Sequence, residues 1–336
     1  MSVNKPAAKV SPLLRVLRVL YWIIFALSLV IVVLFLAFKL FVNPPDVGSQ
    51  VTFKPSVSTP VEDPQNTSSV EDPVAEPLVL TRRTGVYTCL LAGSDDGNGK
   101  ADTVMLGVFD TNSKTASLIS VPRDSLVTIN GADRKINAAY GLGGPELLRD
   151  TVSETLAVPV DFYVMVDLDA FAAIVEEIGG VWFTVPQDMD YDDPAQDLHI
   201  HLKAGYQLLD GKNALDLIRF RKGYAGQDIG RVQTQRAFLV AMVKQAITLS
   251  NISKVTSLIQ ILNQYVDSDM PLNTMIFFAT QAIGMDLDSG LNSVTLPGQW
   301  VDPYYELEDS SVLELVNSLG IYEEVIPSEA LSIRHQ

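Results

Sequence analysis

The sequence predicts an α/β protein: a three-layer α-β-α domain with a mixed central sheet, preceded by one transmembrane helix. Short β-rich runs bounded by turn residues recur from residue 86 onward, and segments with helical periodicity lie between and after them. Because the two kinds of element alternate, helices are expected to cover the sheet. One long uncharged apolar run near the N-terminus predicts the transmembrane helix.

The apolar run covers residues 20–38, LYWIIFALSLVIVVLFLAF, and its 19 residues approach the ~20 needed to span a bilayer. We predict a transmembrane signal anchor over residues 20–42. A cleaved signal peptide is the alternative, but the run is longer than a usual signal-peptide core and FKLFVNPPDV has no small-x-small cleavage pattern. No later segment is long and apolar enough to cross again, so the predicted topology is single-pass.

Charge sets the expected orientation of this anchor. The first acidic residue is Asp46, whereas several basic residues precede the apolar run: Lys5, Lys9, Arg15 and Arg18. The positive-inside rule therefore predicts a cytoplasmic basic tail over residues 1–19, with the remainder of the protein held outside the cell membrane.

Residues 43–80 are rich in Pro, Ser, Thr and acidic residues, a composition that cannot form a core. We predict an extracytoplasmic linker, partly in polyproline II conformation. Residues 81–336 are then one large extracytoplasmic domain. Its only cysteine, Cys89, lies in the apolar run VYTCLLAG, which predicts a buried, inert thiol and no internal disulfide.

Within this domain the predicted strands are VYTCLLAG, TVMLGVFD, TASLISVP, DFYVMVDL and VWFTVP. The predicted helices cover residues 145–156, 169–177, 211–217, 231–250 and 271–284. GLGG at residues 141–144 lacks a P-loop ending and predicts a turn, since Pro145 suits a first helical position. DLHIHL predicts a strand with His199 and His201 on one face, because no third zinc ligand stands at a known spacing.

The charge balance limits the possible partners. Asp and Glu outnumber Lys and Arg by 40 to 24, giving a formal net charge of -16. Nucleic-acid binding requires a broad basic surface, so this class of function is excluded. Residues 218–236, IRFRKGYAGQDIGRVQTQR, nevertheless concentrate arginine. Solvated surface charges are the alternative interpretation, but random basic clusters should be scarce in so acidic a chain.

The spacing in this stretch predicts how the side chains converge. If residues 219–221 close a strand, Arg219 and Arg221 share one face and Phe220 takes the other. Arg231 and Gln235 stand four apart at the start of an apolar helix, so they share a helical face. Guanidinium forks and a helix N-terminus both suit phosphate oxygens. The stretch therefore predicts a phosphate site.

Other charged residues follow predicted strands. Asp95 and Asp102 flank the loop after LLAGS, and two carboxylates beside a phosphate would need a bridging divalent cation such as Mg²⁺. Loop chemistry in SDDGNGKAD explains them equally well. VPRDS sets Arg123 and Asp124 at a strand end, where α/β proteins build ligand sites, and Lys135 adds a further cation.

Taken together these motifs resemble the LytR-CpsA-Psr family of cell-wall glycopolymer ligases. The resemblance runs from about residue 86 to residue 319. It rests on several segments in order: GSD, the KAD-T segment, PRD, KINAAY, the GGV turn, LDGKNAL, RFR and DIGR-VQTQR. Linked motifs in one order are far more specific than any single motif.

The resemblance implies a phosphotransferase. Asp95 and Asp102 would hold Mg²⁺, or alternatively Mn²⁺, and Lys100 stands where the family often has arginine, which keeps the charge without the fork. The residues implied to line the pyrophosphate are Arg123, Arg219, Arg221, Arg231 and Gln235. The implied donor is a polyprenyl-pyrophosphate-linked glycopolymer, such as teichoic acid or capsule, and the implied acceptor is a peptidoglycan sugar hydroxyl.

Two questions stay open at this point. The general base could be Asp102, Asp124 or Asp228, because each carboxylate could instead orient an arginine. The same residues would also serve a polyprenyl-pyrophosphate hydrolase or a non-catalytic glycan-phosphate binding module.

A lipid tail needs an apolar channel, and the apolar residues of one predicted strand and the helix after it could line one. Core packing explains these residues equally well: Phe162, Val164, Val166, Phe171, Ile174, Val175 and Ile178.

Overall fold

The computed structural model describes residues 41–53, 77–94, 100–194, 198–224, 228–246, 257, 260–261, 264–283, 285–286 and 289–335. The chain divides into two compact units, Met1–Pro45 and Asp46–Gln336. Nearly all of the predicted tail and transmembrane anchor lies outside the described residues. Among the residues that are described, no helix is both long and apolar enough to cross a membrane.

The described strands of the unit Asp46–Gln336 are three to ten residues long. In chain order they are β1 Gln50–Phe53, β2 Leu78–Thr81, β3 Val86–Ser94, β4 Ala101–Asp110, β5 Thr115–Ser120, β6 Leu126–Ile129, β7 Ala132–Lys135, β8 Phe162–Val166, β9 Val181–Val185, β10 Met189–Asp193, β11 Leu198–Leu202, β12 Gly205–Leu209, β13 Val266–Ser268, β14 Leu291–Thr295, β15 Gly298–Val301 and β16 Tyr304–Leu307.

Among the described residues, five helices fall close to predicted segments, and a sixth, at residues 309–318, was not predicted. They are α1 Ala138–Leu156, α2 Leu168–Ile178, α3 Gly211–Arg219, α4 Asp228–Ala246, α5 Leu272–Ala282 and α6 Asp309–Ser318, with a 3-10 turn at Ser328–Ala330. The predicted glycine turn interrupts α1, where Gly144 has a φ of 70° directly before Pro145. Side chains cap two of the helices, since Asp167 accepts from the backbone N–H of Ala170 and Asp210 from that of Asn213.

The central sheet is mixed, as predicted. Its strand order among the described residues is β13-β8-β3-β4-β5-β14. β3 pairs antiparallel with β4 and parallel with β8, while β5 pairs antiparallel with β4 and parallel with β14. One predicted sheet strand lies elsewhere. β9 pairs with β12 in a separate ribbon, because two glycines with positive φ, Gly179 and Gly180, turn the chain from α2 directly into it.

Helices pack on both faces of this sheet. On one face Leu90 and Ala92 of β3 join a core that includes Leu148 of α1 and Val312 of α6. On the other face α5 packs through Phe278, whose ring lies 5.2 Å from that of Tyr87 and 6.1 Å from those of Phe109 and Phe162.

A second cluster of buried side chains lies beside the sheet. It joins α2, α3 and α4 to the ribbons β9–β12 and β10–β11, and its fully buried members include Val175, Ile200, Leu217 and Phe238. The strand predicted from DLHIHL is present as β11, and both of its histidines are exposed on one face. This second cluster supplies one wall of the site described below.

The two ends of the predicted linker, residues 43–80, differ from the extended tether that composition suggests. β1 and β2 pair antiparallel, with Phe53 opposite Leu78. Phe53 and Leu80 are buried in the core of the sheet domain. Apolar side chains at both ends therefore bind this segment to the fold, and the residues between the strands, 54–76, lie outside the described residues.

A buried ion pair joins the start of β3 to the start of β8. Arg82 contacts both carboxylate oxygens of Asp161, and the two side chains are 1% and 5% exposed. Asp161 also accepts from the backbone N–H of Thr88 at 2.8 Å, while Arg82 donates to the carbonyl of Val86 at 2.9 Å. The pair thus fixes the parallel register of these strands, and no sequence motif indicates it.

We expect Asp161→Asn to lower the free energy of unfolding by about 3 to 5 kcal/mol, because it leaves the buried Arg82 charge without a counter-ion. The matched control is Asp150→Asn, whose exposed pair with Arg149 should contribute less than about 1 kcal/mol. Urea denaturation of both variants would measure the difference. Equal midpoints would contradict a structural role for the buried pair.

Candidate functional site

A cavity of about 390 Å³ lies between the central sheet and helices α2, α3 and α4. Most of its wall is apolar: Leu91, Met105, Leu118, Val164, Val166, Leu168, Phe171, Ile174, Leu239, Met242 and Val243. Polar side chains also line it: Ser94, Asp102, Arg219, Arg221, Arg231 and Gln235. A cavity of this composition suits an amphiphile better than a purely polar or purely apolar ligand.

Helix α4 shows how the two kinds of lining are arranged. Arg231, Gln235, Leu239, Met242 and Val243 all line the cavity, and their spacing of three to four residues sets them on one helical face. The first two are polar and the last three are apolar. From Arg231 to Val243 the helix rises about 18 Å, so the cavity changes from cationic to apolar along that length.

The strand predicted for residues 219–221 is wrong. Arg219 ends helix α3, Phe220 follows in an extended conformation with φ -67° and ψ 128°, and Arg221 lies beyond the helix. The cap at Asp210 and the apolar face of LDGKNALDLIR carry the helix two residues further than predicted. Both arginines nevertheless line the cavity, while Phe220 is buried in the second cluster.

The arginines differ in burial, which affects their electrostatic strength. Arg231 is 7% exposed, whereas Arg221 is exposed and Arg219 is intermediate. A buried guanidinium interacts with an anion in a lower effective dielectric than an exposed one does. Gln235 holds the arrangement together, because its side-chain Nε2 donates to the carbonyl of Ile218 at 2.8 Å and so ties α4 to the last turn of α3.

A chain of ion pairs continues outward from Asp102. Arg123 donates to Asp102, and its Nε lies 3.7 Å from an oxygen of Asp124. Asp124 in turn accepts from Lys135 Nζ at 2.9 Å, and Lys135 lies 5.7 Å from the centroid of the Trp300 ring. Of these residues only Asp102 lines the cavity, so Arg123, Asp124 and Lys135 form its outer support.

Three further candidates from the sequence are not brought to the cavity by the described residues. Lys100 is exposed directly before β4 and does not line the cavity. Asp95 lies outside the described residues. Asp228 begins α4, but its side chain is outside the described part of the structure.

The sequence did not decide which apolar residues of β8 and α2 line a cavity and which pack in the core. Val164 and Ile174 line the cavity. Val166 and Phe171 line it and also pack in the second cluster, whereas Val175 and Ile178 belong to that cluster and do not line the cavity. The sequence analysis did not predict that apolar residues of α4 also line the cavity. The signal for it was present, because the residues follow Gln235 at intervals of three to four.

Cys89 is free and partly buried on β3. Burial raises the pKa of its thiol, and the negative charges of Asp269 and Asp161 raise it further. The thiol therefore stays protonated at neutral pH and is not a nucleophile.

The fold and the cavity define a class of protein: an α/β domain with a cationic and apolar cavity at the ends of its central strands. The LytR_cpsA_psr family model matches residues 52–320, and the chain belongs to this family. The resemblance seen in the sequence motifs is thereby confirmed.

Curated relatives agree with this assignment. The polyisoprenyl-teichoic acid--peptidoglycan teichoic acid transferase TagV of Bacillus subtilis is 31% identical over 202 residues, which are 57% of this chain and 52% of TagV. The regulatory protein MsrR of Staphylococcus aureus is 31% identical over 222 residues, 64% of this chain and 66% of MsrR. The matches thus span between half and two thirds of the length of these relatives.

Solved structures show the same fold. The crystal structure of Bacillus subtilis TagV superposes with a TM-score of 0.64 at 26% identity, covering 73% of this chain and 100% of that chain. TagT bound to LI-WTA superposes with a TM-score of 0.58 at 26% identity, covering 70% of this chain and 90% of that chain.

We expect Arg221→Ala to weaken binding of inorganic pyrophosphate about tenfold or more, since a charge-assisted hydrogen bond contributes about 1.5 to 3 kcal/mol. Arg221 is exposed, so the thermal midpoint should not change. Isothermal titration calorimetry would measure the affinity. Arg149→Ala is the matched control, because Arg149 pairs with Asp150 and Asp269 away from the cavity. Equal losses in both variants would argue against a specific anion site.

Proposed function

We propose that this protein is a phosphotransferase of the cell-wall glycopolymer ligase type. It would transfer a phosphoglycan from a polyprenyl-pyrophosphate carrier to a sugar hydroxyl of peptidoglycan. The observation that carries the proposal is the cavity lining, which changes from arginine and glutamine to aliphatic residues along one face of α4. A polyprenyl pyrophosphate has the same two-part chemistry.

The phosphate end suits group transfer without a protein nucleophile. The acceptor hydroxyl oxygen would attack the sugar-proximal phosphorus, forming a phosphodiester as the bond to the bridging oxygen breaks. Polyprenyl phosphate leaves with that electron pair. Arg219, Arg221 and Arg231 would neutralise the charge on the phosphate oxygens, which is the main catalytic requirement of phosphoryl transfer.

Among the carboxylates considered as general base, Asp102 is the best supported. Its side chain lines the cavity together with the arginines, whereas the side chain of Asp124 does not. Asp124 is engaged by Lys135 and Arg123, which supports a positioning role. The side chain of Asp228 is not among those described.

A divalent cation fits the donor set. Asp102 is 32% exposed beside the arginines, and Mg²⁺ binds proteins through one or two carboxylates together with phosphate oxygens. Asp102 would hold Mg²⁺ or Mn²⁺, with Asp95 as the proposed second ligand. The ion would supply positive charge at the pyrophosphate oxygens.

The apolar part of the cavity supports a lipid carrier, and the proposed location agrees with it. A carrier of this kind resides in the cell membrane, and a single-pass anchor at residues 20–42 would hold the domain on the extracytoplasmic side. The names of relatives add support, since TagV is named for transferring teichoic acid from polyisoprenyl to peptidoglycan and TagT has been crystallised with LI-WTA. Teichoic acid or a capsular polymer is the proposed glycan.

The direct test incubates the full-length chain with Mg²⁺, a polyprenyl-pyrophosphate-linked glycan and peptidoglycan oligomers, and follows products by mass spectrometry. We expect a glycan-phosphate-peptidoglycan adduct, reduced at least about 100-fold in both Arg219→Ala and Asp102→Ala. The first variant loses a cation that neutralises the phosphate oxygens, and the second loses the proposed base and metal ligand. Arg149→Ala should retain activity.

Other products of this reaction would identify the alternatives. Release of polyprenyl phosphate without an adduct would indicate a hydrolase, in which water replaces the sugar hydroxyl. Binding without turnover would indicate a glycan-phosphate binding module.

A second variant separates recognition of the tail from recognition of the phosphates. Leu239→Trp should fill the apolar half of the cavity, because Leu239 lines it one turn beyond Gln235. We expect affinity for a polyprenyl pyrophosphate to fall at least tenfold while affinity for inorganic pyrophosphate is unchanged. Calorimetry with both ligands provides the comparison, and Leu272→Trp, at an exposed position on α5, is the control. A parallel loss of both affinities would count against a tail-binding role.

A further inference from the structure

The ribbon of β10 and β11 carries a group of ligating side chains that the proposed reaction does not use. Asp190 stands opposite His201, and Asp192 stands opposite His199. Alternation along each strand sets all four side chains on one exposed face, while the apolar residues on the other face are buried: Met189, Leu198, Ile200 and Leu202. The antiparallel register therefore brings together residues that are up to eleven positions apart.

The atoms of three of these side chains converge. Asp192 Oδ1 lies 2.5 Å from His199 Nδ1 and 3.5 Å from His201 Nε2. One ligand atom from each of Asp192, His199 and His201 lies within 4.8 Å of the other two. Ligands of a tetrahedral zinc ion stand about 3.3 Å apart, and these side chains are about half exposed, so small rotations close the difference.

Asp190 plays a different part in this arrangement. Its Oδ1 lies 2.7 Å from Nδ1 of His201. A carboxylate at one ring nitrogen fixes the tautomer of the histidine and leaves the other nitrogen, here Nε2, with its lone pair toward Asp192. This carboxylate–histidine arrangement is the usual outer support of a metal-bound histidine.

We propose that Asp192, His199 and His201 bind a divalent transition-metal ion of the zinc class, with Asp190 orienting His201. Two imidazoles and one carboxylate form a three-ligand set that leaves a fourth position for water or a ligand from another molecule. Nitrogen ligands favour zinc, copper or nickel over Mg²⁺, which distinguishes this site from the one proposed at Asp102.

The electrostatics of the ribbon favour such an ion. Asp190 and Asp192 set two carboxylates beside the two imidazoles on one exposed face, so the ribbon offers both oxygen and nitrogen ligands to a cation. The ion would take the place of the proton between His199 Nδ1 and Asp192, and the neutral ring would then carry that proton on Nε2.

The test titrates the full-length chain, free of any polyhistidine tag and treated with EDTA, with Zn²⁺ in competition with a chromophoric chelator at about pH 7.5, above the ordinary histidine pKa. We expect the wild type to bind one equivalent of Zn²⁺ at this site, and His199→Ala, His201→Ala and Asp192→Asn each to bind it at least tenfold more weakly. Asp190→Asn should weaken binding by about tenfold through the orientation of His201. Lowering the pH to about 5.5 should weaken wild-type binding at least tenfold, because protons compete with the metal for the ligand atoms.

The chain has three histidines, which provides a matched control. His335 pairs with Asp309 at 2.8 Å on another element, so His335→Ala should bind Zn²⁺ like the wild type. Asp102→Asn should also retain this equivalent, which separates it from a metal at the cavity. All substituted ribbon residues are exposed, and circular dichroism of the metal-free variants checks that they fold. The proposal is overturned if the wild type binds no Zn²⁺, or if its affinity equals that of His199→Ala and His201→Ala.

Discussion

The alternation of side chains along β3 is the constraint on which the rest of the structure depends. Val86 and Leu90 are buried in the core on one face, whereas Leu91 and Gly93 line the cavity on the other. A shift of one residue would exchange the two sets. The ion pair between Arg82 and Asp161 fixes β3 against β8. This pair lies at the opposite end of the two strands from the charged groups of the cavity, yet it sets the position of the strands that form the cavity wall.

Much of the fold could be predicted from the sequence because its signals are local. Short β-rich runs bounded by turn residues identify β3, β4, β5 and β8, and the glycines before Pro145 identify the break in α1. β9 could not be assigned to its ribbon in this way, since its composition is that of a sheet strand and only its pairing with β12 separates it. Pairing is a long-range property.

The candidate site shows a similar division. Four side chains could be grouped by spacing, although the element carrying the first two is a helix end and not a strand: Arg219, Arg221, Arg231 and Gln235. Arg219 and Arg221 still line the same cavity, because the extended residue between them, Phe220, spaces their side chains as a strand would. By contrast, no local signal distinguishes core positions from cavity positions along α2. Ile174 lines the cavity, whereas its neighbour Val175 is buried in the second cluster.

The link between α3 and α4 explains how an acidic protein maintains a cationic centre. Arg219 and Arg231 come from different helices, and both line the cavity. Gln235 joins these helices, because its side-chain amide donates to the carbonyl of Ile218 in the last turn of α3. A neutral hydrogen bond is suited to this task, since a carboxylate at the same position would neutralise the arginines and compete with the phosphate. The same helix face then continues to Leu239, so anchoring α4 for the anion also positions the apolar wall for the tail.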